Sequence, residues 1–388
     1  MHLFNFSVWK SLDWRLLLTL CGFMLISFAV VSSTTQQYLE GEETFWTPFV
    51  IRQVEGFLVG WVGFFLAAAF DYQRLRELAW PLYLLILLLL VGLFLVDPIQ
   101  NVHRWYRLPL LGGTFQPSEW AKLCVVMIMS WFMERHTETM HQARTIGKAL
   151  LLVGIPFLLI LKQPDLGTAL VLFPITLVLF YLGGAHRRVV RWMTGLALAG
   201  LACSSLIFLE IIPHEQLRPY AALVMKDYQV ERLDPNTYHQ RSATTAIALG
   251  GLTGSGWGKS EFTGRGWLPA AHTDSAFPAF AEEFGLVGVL LLVALCYALV
   301  SLGFQVTAMA RDHFGRLLAA GITVYLAMHM FVNMGMMAGC LPITGVPLIL
   351  VSYGGSSVLS TMIALGLLQS IYARRYFLPT RSLLRRSS

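Results

Sequence analysis

The sequence predicts an all-α protein that crosses a membrane ten times, and three observations carry this prediction. Hydrophobic residues make up 56% of the 388-residue chain, whereas charged residues make up only 13%, against roughly 25% in soluble domains. The mean hydropathy is +0.62. The apolar residues gather in ten runs separated by polar, glycine-containing or proline-containing segments. This composition excludes a disordered chain and a cytosolic enzyme.

Each apolar run is predicted to form one helix, because about 20 apolar residues span the ~30 Å hydrocarbon core of a bilayer. The first run follows Lys10 and Arg15 and lacks a small-x-small cleavage site, which predicts a retained signal anchor. The run at 149–161 is the shortest and gives the weakest span by length. The runs cover residues 16–32, 54–70, 78–96, 120–133, 149–161, 168–184, 190–212, 286–306, 314–336 and 356–373.

The distribution of basic residues predicts that both termini are cytoplasmic. With that orientation every short inner segment is basic, as at Arg74 and Arg76 or at Arg187 and Arg188. An excess of lysine and arginine in short loops is typical of the cytoplasmic side. The excess of 28 basic over 22 acidic residues therefore reflects topology, and no nucleic-acid partner is needed to explain it.

Residues 1–388 are expected to form a single membrane domain, with one long outer loop at about 213–283 between the seventh and eighth helices. This connection contains several prolines and a cluster of glycines. A loop of that length is usually functional rather than a simple connector.

Polar residues collect where the even-numbered predicted helices begin, on the predicted outer side. Ionisable groups near membrane depth are costly and point to function. Helix N-termini also carry free N–H groups and a partial positive charge, which suit a phosphate. The pattern therefore predicts an outward-facing anion site. The residues at these starts include Arg52, Glu119, Lys122, Asp165, Asp274, Glu282, Glu283, Ser352 and Tyr353.

Two of these predicted helix N-termini have the same arrangement, a proline followed closely by an acidic residue. Pro117 suits the first helical position, and Glu119 and Lys122 are three residues apart, so they share a helix face. They either form a simple ion pair or orient Lys122 toward an anionic substrate. Pro164 is expected to begin the next such helix with Asp165 in its first turn, where the carboxylate either caps the helix dipole or serves the site.

Loop residues supply the remaining candidates. Asp274 is the predicted catalytic base, with a solvated loop aspartate or a helix N-cap as the structural alternative. His272 is either a pH-sensitive partner or a structural histidine. Arg104, followed by Trp105, is either an anion contact or an interfacial anchor. The glycine-rich segment 250–258 precedes Lys259, whose spacing does not fit a P-loop.

These motifs in order resemble the SEDS family, named for shape, elongation, division and sporulation. The similarity extends from about Arg52 to Tyr372. The segment before Ser352 is similar to the RodA-like elongation branch rather than the division branch. The segments that carry the resemblance are Gln116-Pro117-Ser118-Glu119 with Lys122, Gln163-Pro164-Asp165-Leu166-Gly167, His272-Thr273-Asp274, Asn333-Met334-Gly335-Met336 and Gly345-Val346-Pro347 with Val351-Ser352-Tyr353-Gly354-Gly355.

The resemblance implies a multi-pass protein of the bacterial plasma (inner) membrane with peptidoglycan glycosyltransferase activity on lipid II. It also implies a class B penicillin-binding protein as partner for transpeptidation. The family's loop aspartate corresponds to Asp274. Its charges at helix ends correspond to Arg52, Arg104, Glu119, Lys122 and Asp165, and our predicted substrate-binding set adds His272, Lys259, Glu283, Ser352 and Tyr353.

Five positions depart from the family pattern. Ser242 and Ala243 replace a usual Gln-Ser, which puts loop contacts with substrate in question. Ala270 replaces an acid, His329 a glutamine and Ile349 a proline. His329 is expected to alter a buried hydrogen bond.

The predicted mechanism needs Asp274 as a general base, while basic residues neutralise the leaving pyrophosphate. A divalent cation beside Asp274 or Asp165 stays open, because diphosphates often bring one, although no spacing requires it. Two other functions also stay open. One is a flippase or transporter of lipid-linked precursors, and the other is a noncatalytic scaffold for a penicillin-binding protein.

Overall fold

The computed structural model describes residues 4–36, 44–99, 102–108, 113–209, 211–221 and 230–375. Each of the ten predicted runs coincides with a helix over most of its length, but the runs at 54–70, 78–96, 168–184 and 190–212 extend beyond the helix ends at Ala69, Leu95, Leu182 and Phe208. Short 3-10 helices occur at Phe6–Ser11, Tyr72–Arg74, Leu93–Leu95 and Thr137–Thr139. The α-helices are α1 (Trp14–Thr35), α2 (Pro48–Ala69), α3 (Leu75–Gly92), α4 (Pro117–Arg135), α5 (Ala143–Lys162), α6 (Leu166–Leu182), α7 (Arg187–Phe208), α8 (His214–Ala221), α9 (Tyr238–Gly250), α10 (Glu261–Gly264), α11 (Ala276–Met309), α12 (His313–Met337) and α13 (Gly355–Ala373).

The chain is a multi-pass membrane protein. Within the described ranges, eight helices are long and apolar enough to cross a membrane: α1, α2, α3, α5, α7, α11, α12 and α13. The short apolar run at 149–161 belongs to one of these helices, because it lies within α5, which has 20 residues. α6 is apolar but has only 17 residues, and α4 includes Glu119, Lys122 and Glu134. The count of ten spans therefore stays a prediction.

The sidedness of the chain also stays a prediction. It depends on the distribution of basic residues, because helix bounds do not distinguish one side of a bilayer from the other. Three of the arginines behind this prediction, Arg381, Arg385 and Arg386, lie outside the described residues.

The bundle has buried and peripheral helices. Most residues of α4 from Pro117 to Met133 are buried. In α12 and in α13, 72% of the residues in the apolar 18-residue stretch are buried. In α7 the corresponding share is only 6%. A helix that is apolar all round and buried belongs to the interior of the bundle. α4, α12 and α13 therefore form the centre, and α7 exposes most of its surface at the edge.

The long connection is more ordered than a loop, and the boundary predicted near residue 283 is wrong. The segment contains α8, α9 and α10, while residues 222–229 lie outside the described part. α11 begins at Ala276, so Glu282 and Glu283 lie inside it. Gly285 interrupts α11 with φ 60° and ψ −162°. The apolar run that predicted this helix begins only after that break, because the first segment carries the two glutamates.

A small β-hairpin precedes α4, and the all-α prediction did not include this hairpin. Strands β1 (Tyr106–Leu108) and β2 (Gly113–Phe115) are antiparallel, with Tyr106 opposite Phe115. Three-residue strands are too short to show an alternating pattern in sequence. At its base, Trp105 Nε1 donates to Gln116 Oε1 at 3.2 Å. This contact ties the loop containing Arg104 to the start of α4.

An ion-pair network joins three helices at the other end of α4. Arg76 of α3 donates from Nε and Nη2 to the two carboxylate oxygens of Glu134, at 2.7 and 2.8 Å. Arg76 also bonds Asp312, which accepts from the Tyr72 hydroxyl. These groups are partly exposed, so each pair contributes only modestly, but the bidentate geometry fixes the relative position of the helix ends.

Candidate active site

Asp274 lies just before α11, and α12 holds its backbone in place. Asn333, buried in α12, donates from Nδ2 to the Asp274 carbonyl oxygen at 2.9 Å and to the Val346 carbonyl oxygen at 2.8 Å. One amide group thus joins the loop before α11 to the segment before α13. Because buried carbonyl groups need donors, this bridge fixes Asp274 relative to both elements.

The segment before α13 supplies two further contacts to the same loop. Ser352 Oγ donates to the Thr273 carbonyl oxygen at 2.6 Å. The Tyr353 backbone N–H donates to the His272 carbonyl oxygen at 2.8 Å. The structure therefore brings three predicted site residues, His272, Ser352 and Tyr353, together beside Asp274. Ser352 and Tyr353 donate these hydrogen bonds to backbone carbonyl groups of the loop, and the bonds restrict the movement of the loop.

Helix α2 closes one side of this loop. Its Phe49 ring lies 5.2 Å from the His272 ring, which also lies 5.9 Å from the Tyr353 ring, measured between centroids. Gln53 Nε2 donates to the Ser352 carbonyl oxygen at 3.3 Å. Burial lowers the pKa of His272 below its ordinary value. The imidazole is consequently neutral at pH 7, and it packs against the rings of Phe49 and Tyr353.

The Asp274 carboxylate experiences opposing electrostatic effects. Burial raises its pKa above the ordinary value, the guanidinium groups of Arg104 and Arg232 lower it, and the Asp165 carboxylate raises it. The net result is a raised pKa. Gly345 has φ 77°, and a Cβ at this position would lie 3.5 Å from Asp274 Oδ2. The glycine therefore leaves room beside the Asp274 carboxylate, and the raised pKa makes this carboxylate a stronger proton acceptor than a free aspartate.

Arg104 and Arg232 come from distant parts of the chain. Arg104 donates from Nε to the Gln163 carbonyl oxygen at 3.1 Å and from Nη2 to the Pro164 carbonyl oxygen. Arg232 donates from Nη1 to the Thr344 carbonyl oxygen at 3.2 Å. Both guanidinium groups donate to neutral carbonyl oxygens, Arg104 to the residues before α6 and Arg232 to the segment before α13. Two such cations beside Asp274 can hold an anionic group.

Asp165 caps α6 and belongs to the same polar cluster. Its Oδ1 accepts from the Thr168 N–H at 3.3 Å, and its Oδ2 accepts from Ser118 Oγ at 3.0 Å and Gln116 Nε2 at 3.2 Å. The prediction that Pro164 begins this helix with Asp165 in its first turn is wrong. Asp165 is the N-cap and Pro164 precedes it, because an N-cap carboxylate binds N–H groups that are otherwise unpaired.

A glycine lets the start of α6 approach the segment before α13. A Cβ on Gly167 would meet Val346 Cγ2 at 2.4 Å and the Thr344 carbonyl oxygen at 3.0 Å. Any larger residue would separate these two segments. Since Val346 and Asp274 accept from the same Asn333 amide, this contact links the start of α6 to the loop that carries Asp274.

Glu119 and Lys122 form the predicted ion pair, but inside the protein. Lys122 Nζ lies 2.6 Å from Glu119 Oε1, and the two side chains are 0% and 3% exposed. Lys122 Nζ also lies 2.5 Å from His329 Nε2 and 5.0 Å from the centroid of the Tyr325 ring. His329 therefore takes part in a buried hydrogen bond, while the expected change relative to the family pattern stays a prediction. These partners surround Lys122, so a direct contact with substrate would require the pair to open.

Glu283 is not brought together with Asp274. Its Oε1 accepts from the Gly258 N–H at 3.1 Å and from Ser260 Oγ at 3.4 Å. The neighbouring Glu282 accepts from the Thr263 N–H at 3.0 Å and from its hydroxyl at 2.6 Å. Both buried carboxylates therefore hold the glycine-rich segment and α10 against the first part of α11.

Arg52 and Lys259 are exposed. Arg52 is the fifth residue of α2, next to the buried Gln53, and Lys259 directly follows the glycine-rich segment. Their predicted substrate contacts stay predictions. Both positions keep a flexible cation available to an incoming anion.

Among the other departures from the family pattern, Ser242, Ala243 and Ile349 are buried, whereas Ala270 is exposed in a turn. Ser242 and Ala243 are 4% and 0% exposed in α9, and Ile349 is 1% exposed. Ala270 has φ 51°, and its carbonyl oxygen accepts from the N–H groups of Thr273 and Ser275. Ser242 and Ala243 therefore affect how α9 packs, and neither presents a surface to substrate.

Two functional candidates were missed by the sequence analysis. Arg232 is one of many charged residues in a long loop, and no local pattern distinguishes it. Asn333 lies in a motif that carries the family resemblance, but a buried amide in an apolar helix gives no sign of its partners. Both act through contacts with residues far away in sequence.

The described residues contain no group of three or more His, Cys, Asp or Glu side chains that could hold a metal ion. The carboxylates of Asp165 and Asp274 interact electrostatically and are the two beside which a cation was considered. A cation beside either one would take its remaining ligands from water or from a bound diphosphate.

Comparison with known proteins identifies the family. The model of the FtsW/RodA/SpoVE family, described as cell cycle protein, matches residues 11–376. The chain therefore belongs to this family, as the SEDS resemblance predicted. Peptidoglycan glycosyltransferase MrdB of Escherichia coli (strain K12) is 33% identical over 378 residues, which is 95% of each chain. Probable peptidoglycan glycosyltransferase FtsW of Geobacter metallireducens is 32% identical, covering 92% of this chain and 94% of the relative.

Solved structures share the fold. A chain from a structure described as structural coordination of polymerization and crosslinking by a peptidoglycan synthase complex has a TM-score of 0.75 and 27% identity. The match covers 95% of this chain and 99% of that chain. The rod shape determining protein RodA of Thermus thermophilus has a TM-score of 0.67 and 27% identity, with the same coverage.

Proposed function

We propose that this protein is a peptidoglycan glycosyltransferase that polymerises lipid II into glycan strands during cell elongation and cell-shape maintenance. It works in the bacterial plasma membrane as a single membrane domain. The support comes from the names of relatives that match nearly the whole chain and from a site made for acid–base chemistry on an anionic substrate.

One observation carries the proposal: a carboxylate of raised pKa lies within electrostatic reach of two guanidinium groups. Asp274 is the base, and Arg104 and Arg232 are the cations. Glycosyl transfer from a pyrophosphate needs both kinds of group at once. A base activates the attacking hydroxyl, and positive charge stabilises the leaving group.

The chemistry is a single displacement. Asp274 takes the proton from the 4-hydroxyl of the acceptor sugar, and that oxygen attacks C1 of the donor sugar. The bond between C1 and the pyrophosphate oxygen breaks, and undecaprenyl pyrophosphate leaves with both bonding electrons. The configuration at C1 is inverted.

One carboxylate is enough for this reaction. Glycosidases use a second carboxylic acid because the alkoxide they expel is a poor leaving group. A pyrophosphate leaves readily once its charge is neutralised. Arg104 and Arg232 supply that neutralisation beside Asp274, and the exposed Arg52 and Lys259 attract the anion toward the site.

The buried polar residues act by positioning. Ser352, Tyr353 and Asn333 hold the loop that carries Asp274. Asp165 links α6 to α4 through Ser118. Rigid support of this kind keeps catalytic groups within the small tolerance that proton transfer requires.

Glu119 and Lys122 stiffen the first turns of α4 beneath this arrangement. Glu283 and Glu282 in turn hold the glycine-rich segment above α11. All four groups act on the site through other residues.

The partner is a class B penicillin-binding protein that crosslinks the strands made here. A structural relative comes from a complex described as coordinating polymerization and crosslinking. The polyprenyl tails of lipid II stay in the membrane lipid, while the sugars reach Asp274 at the helix ends. This division explains why the activity resides in a helical membrane domain.

The test is polymerisation of lipid II by the purified chain together with its penicillin-binding partner. A β-lactam blocks the transpeptidase, and products are separated on a gel. Asp274→Ala is compared with the native chain, and Asp234→Ala, in the same long connection, is the matched control. We expect polymer from the native chain and the control, and none from Asp274→Ala.

The outcomes separate the three functions considered for the sequence. Polymer from both the native chain and Asp274→Ala keeps the enzyme but removes the proposed base. No polymer from any folded complex contradicts the glycosyltransferase. A fluorescent lipid II scrambling assay in vesicles then distinguishes a transporter from a scaffold.

A further inference from the structure

An aromatic surface lies next to the loop that carries Asp274. Tyr238, the first residue of α9, is 65% exposed, and Trp267, after α10, is 45% exposed. The Tyr238 hydroxyl donates to the Trp267 carbonyl oxygen at 2.9 Å. The Arg265 guanidinium carbon lies 5.1 Å from the centroid of the Trp267 ring. Tyr238, Arg265 and Trp267 are called the aromatic ledge below.

Two connections tie the aromatic ledge to the proposed base. His239 follows Tyr238, and its Nε2 lies 2.8 Å from the hydroxyl of Ser275, the residue after Asp274. From the other side, Trp267 precedes Asp274 by seven positions, which limits their separation to roughly 25 Å. The ledge therefore lies on the same end of the molecule as the site, within reach of a product that extends from it.

The surroundings of the aromatic ledge are charged. Arg265 pairs with Glu261 at 3.6 Å, and both side chains are more than half exposed. Lys259 and Arg241 are exposed nearby in the chain. Aromatic faces among exposed charges suit a ligand that has both apolar and polar parts. A sugar ring has this character, because its C–H faces pack on an aromatic ring while its hydroxyl groups bond to guanidinium and phenol groups.

We propose that the aromatic ledge binds sugar units of the nascent glycan strand as it leaves Asp274. This inference rests on the proposed glycosyltransferase function and names a second subsite for its product. A sugar packs on Trp267, while Arg265 and Lys259 attract the carboxylates of the peptides that the strand carries. Retaining the strand between additions increases the number of disaccharides added before release.

The experiment measures polymer length in the lipid II assay with the chain and its penicillin-binding partner, at equal fractions of lipid II consumed. Trp267→Leu removes the flat face, and Trp267→Phe retains an aromatic ring. Trp192→Leu is the matched control, since Trp192 is 80% exposed near the start of α7. We expect Trp267→Leu to shorten the strands by roughly two- to tenfold, the range of an aromatic stacking contact. Trp267→Phe should be intermediate, and Trp192→Leu should match the native chain.

A second variant guards against misfolding of Trp267→Leu. Arg265→Gln changes only an exposed side chain, and shorter strands from this variant also support the proposal. Native-length strands from both Trp267→Leu and Arg265→Gln overturn it. Shortening that disappears when the partner is supplied in excess overturns it as well, because the surface then binds the partner. No polymer from the native chain contradicts the proposed function itself, which is a separate result.

Discussion

The buried pair of Glu119 and Lys122 allows a quantitative test of whether these charges are structural. Their side chains are 3% and 0% exposed, and the charged atoms lie 2.6 Å apart. Removing one partner leaves the other charge buried without compensation, which costs about 3–5 kcal/mol. Removing both, by contrast, is often nearly neutral. Glu119→Met and Lys122→Met should therefore each lower the free energy of unfolding by about that amount, and the double variant should recover most of it.

The assay is unfolding of the purified chain by SDS in mixed micelles, analysed as a double-mutant cycle. The coupling energy is the sum of the two single losses minus the loss in the double variant, so its expected size is about 6–10 kcal/mol if the double variant is nearly neutral. Lys122→Met should lose somewhat more than Glu119→Met, because His329 also loses a partner. Losses that simply add, with coupling below about 0.5 kcal/mol, would refute the reasoning. Polymerisation by the double variant gives a second readout. A stable but inactive double variant would indicate that Lys122 meets the substrate directly.

Three other variants and one pH profile extend these tests. Gly167→Val should destabilise the chain by about 1–3 kcal/mol in the SDS assay. A Cβ at this position would lie only 2.4 Å from Val346 Cγ2. Asn333→Ala should cost about 1–3 kcal/mol and slow polymerisation, since two carbonyl groups lose their donor. The polymerisation rate should rise with pH along a limb above the ~3.9 of free aspartate, because burial raises the pKa of Asp274 and only the ionised form accepts a proton. Arg232→Gln should move this limb to higher pH, since the guanidinium lowers that pKa. If the pH dependence of polymerisation is the same in Arg232→Gln as in the native chain, the electrostatic interaction between Arg232 and Asp274 is contradicted.

Local signals in the sequence predicted most of the helices and one ion pair. Each of the ten apolar runs coincides with a helix over most of its length, because hydropathy along a single helix is a local property. Glu119 and Lys122 pair as their i, i+3 spacing predicts, and Pro117 takes the first helical position. The sequence did not predict how deeply the pair is buried, since burial depends on the helices that surround α4.

The assembly of the site depends on contacts that no local pattern records. Arg232 and Asn333 reach the loop of Asp274 across long sequence separations, and neither was a candidate. Glu283 was grouped with Asp274 because the two are near in sequence, yet the helix that begins at Ala276 directs Glu283 toward the glycine-rich segment. Position in the chain was a good guide to secondary structure and a poor one to which side chains meet.

The most direct test of the central claim is the rate of lipid II consumption by Asp274→Asn. This substitution keeps the size of the side chain and removes only its capacity to take a proton. Asp234→Asn is the control from the same connection, and binding of lipid II is measured in parallel. We predict a loss of roughly 100-fold or more, the contribution of a general base, with binding retained. Native-rate polymerisation by Asp274→Asn would contradict the assignment of Asp274 as the base.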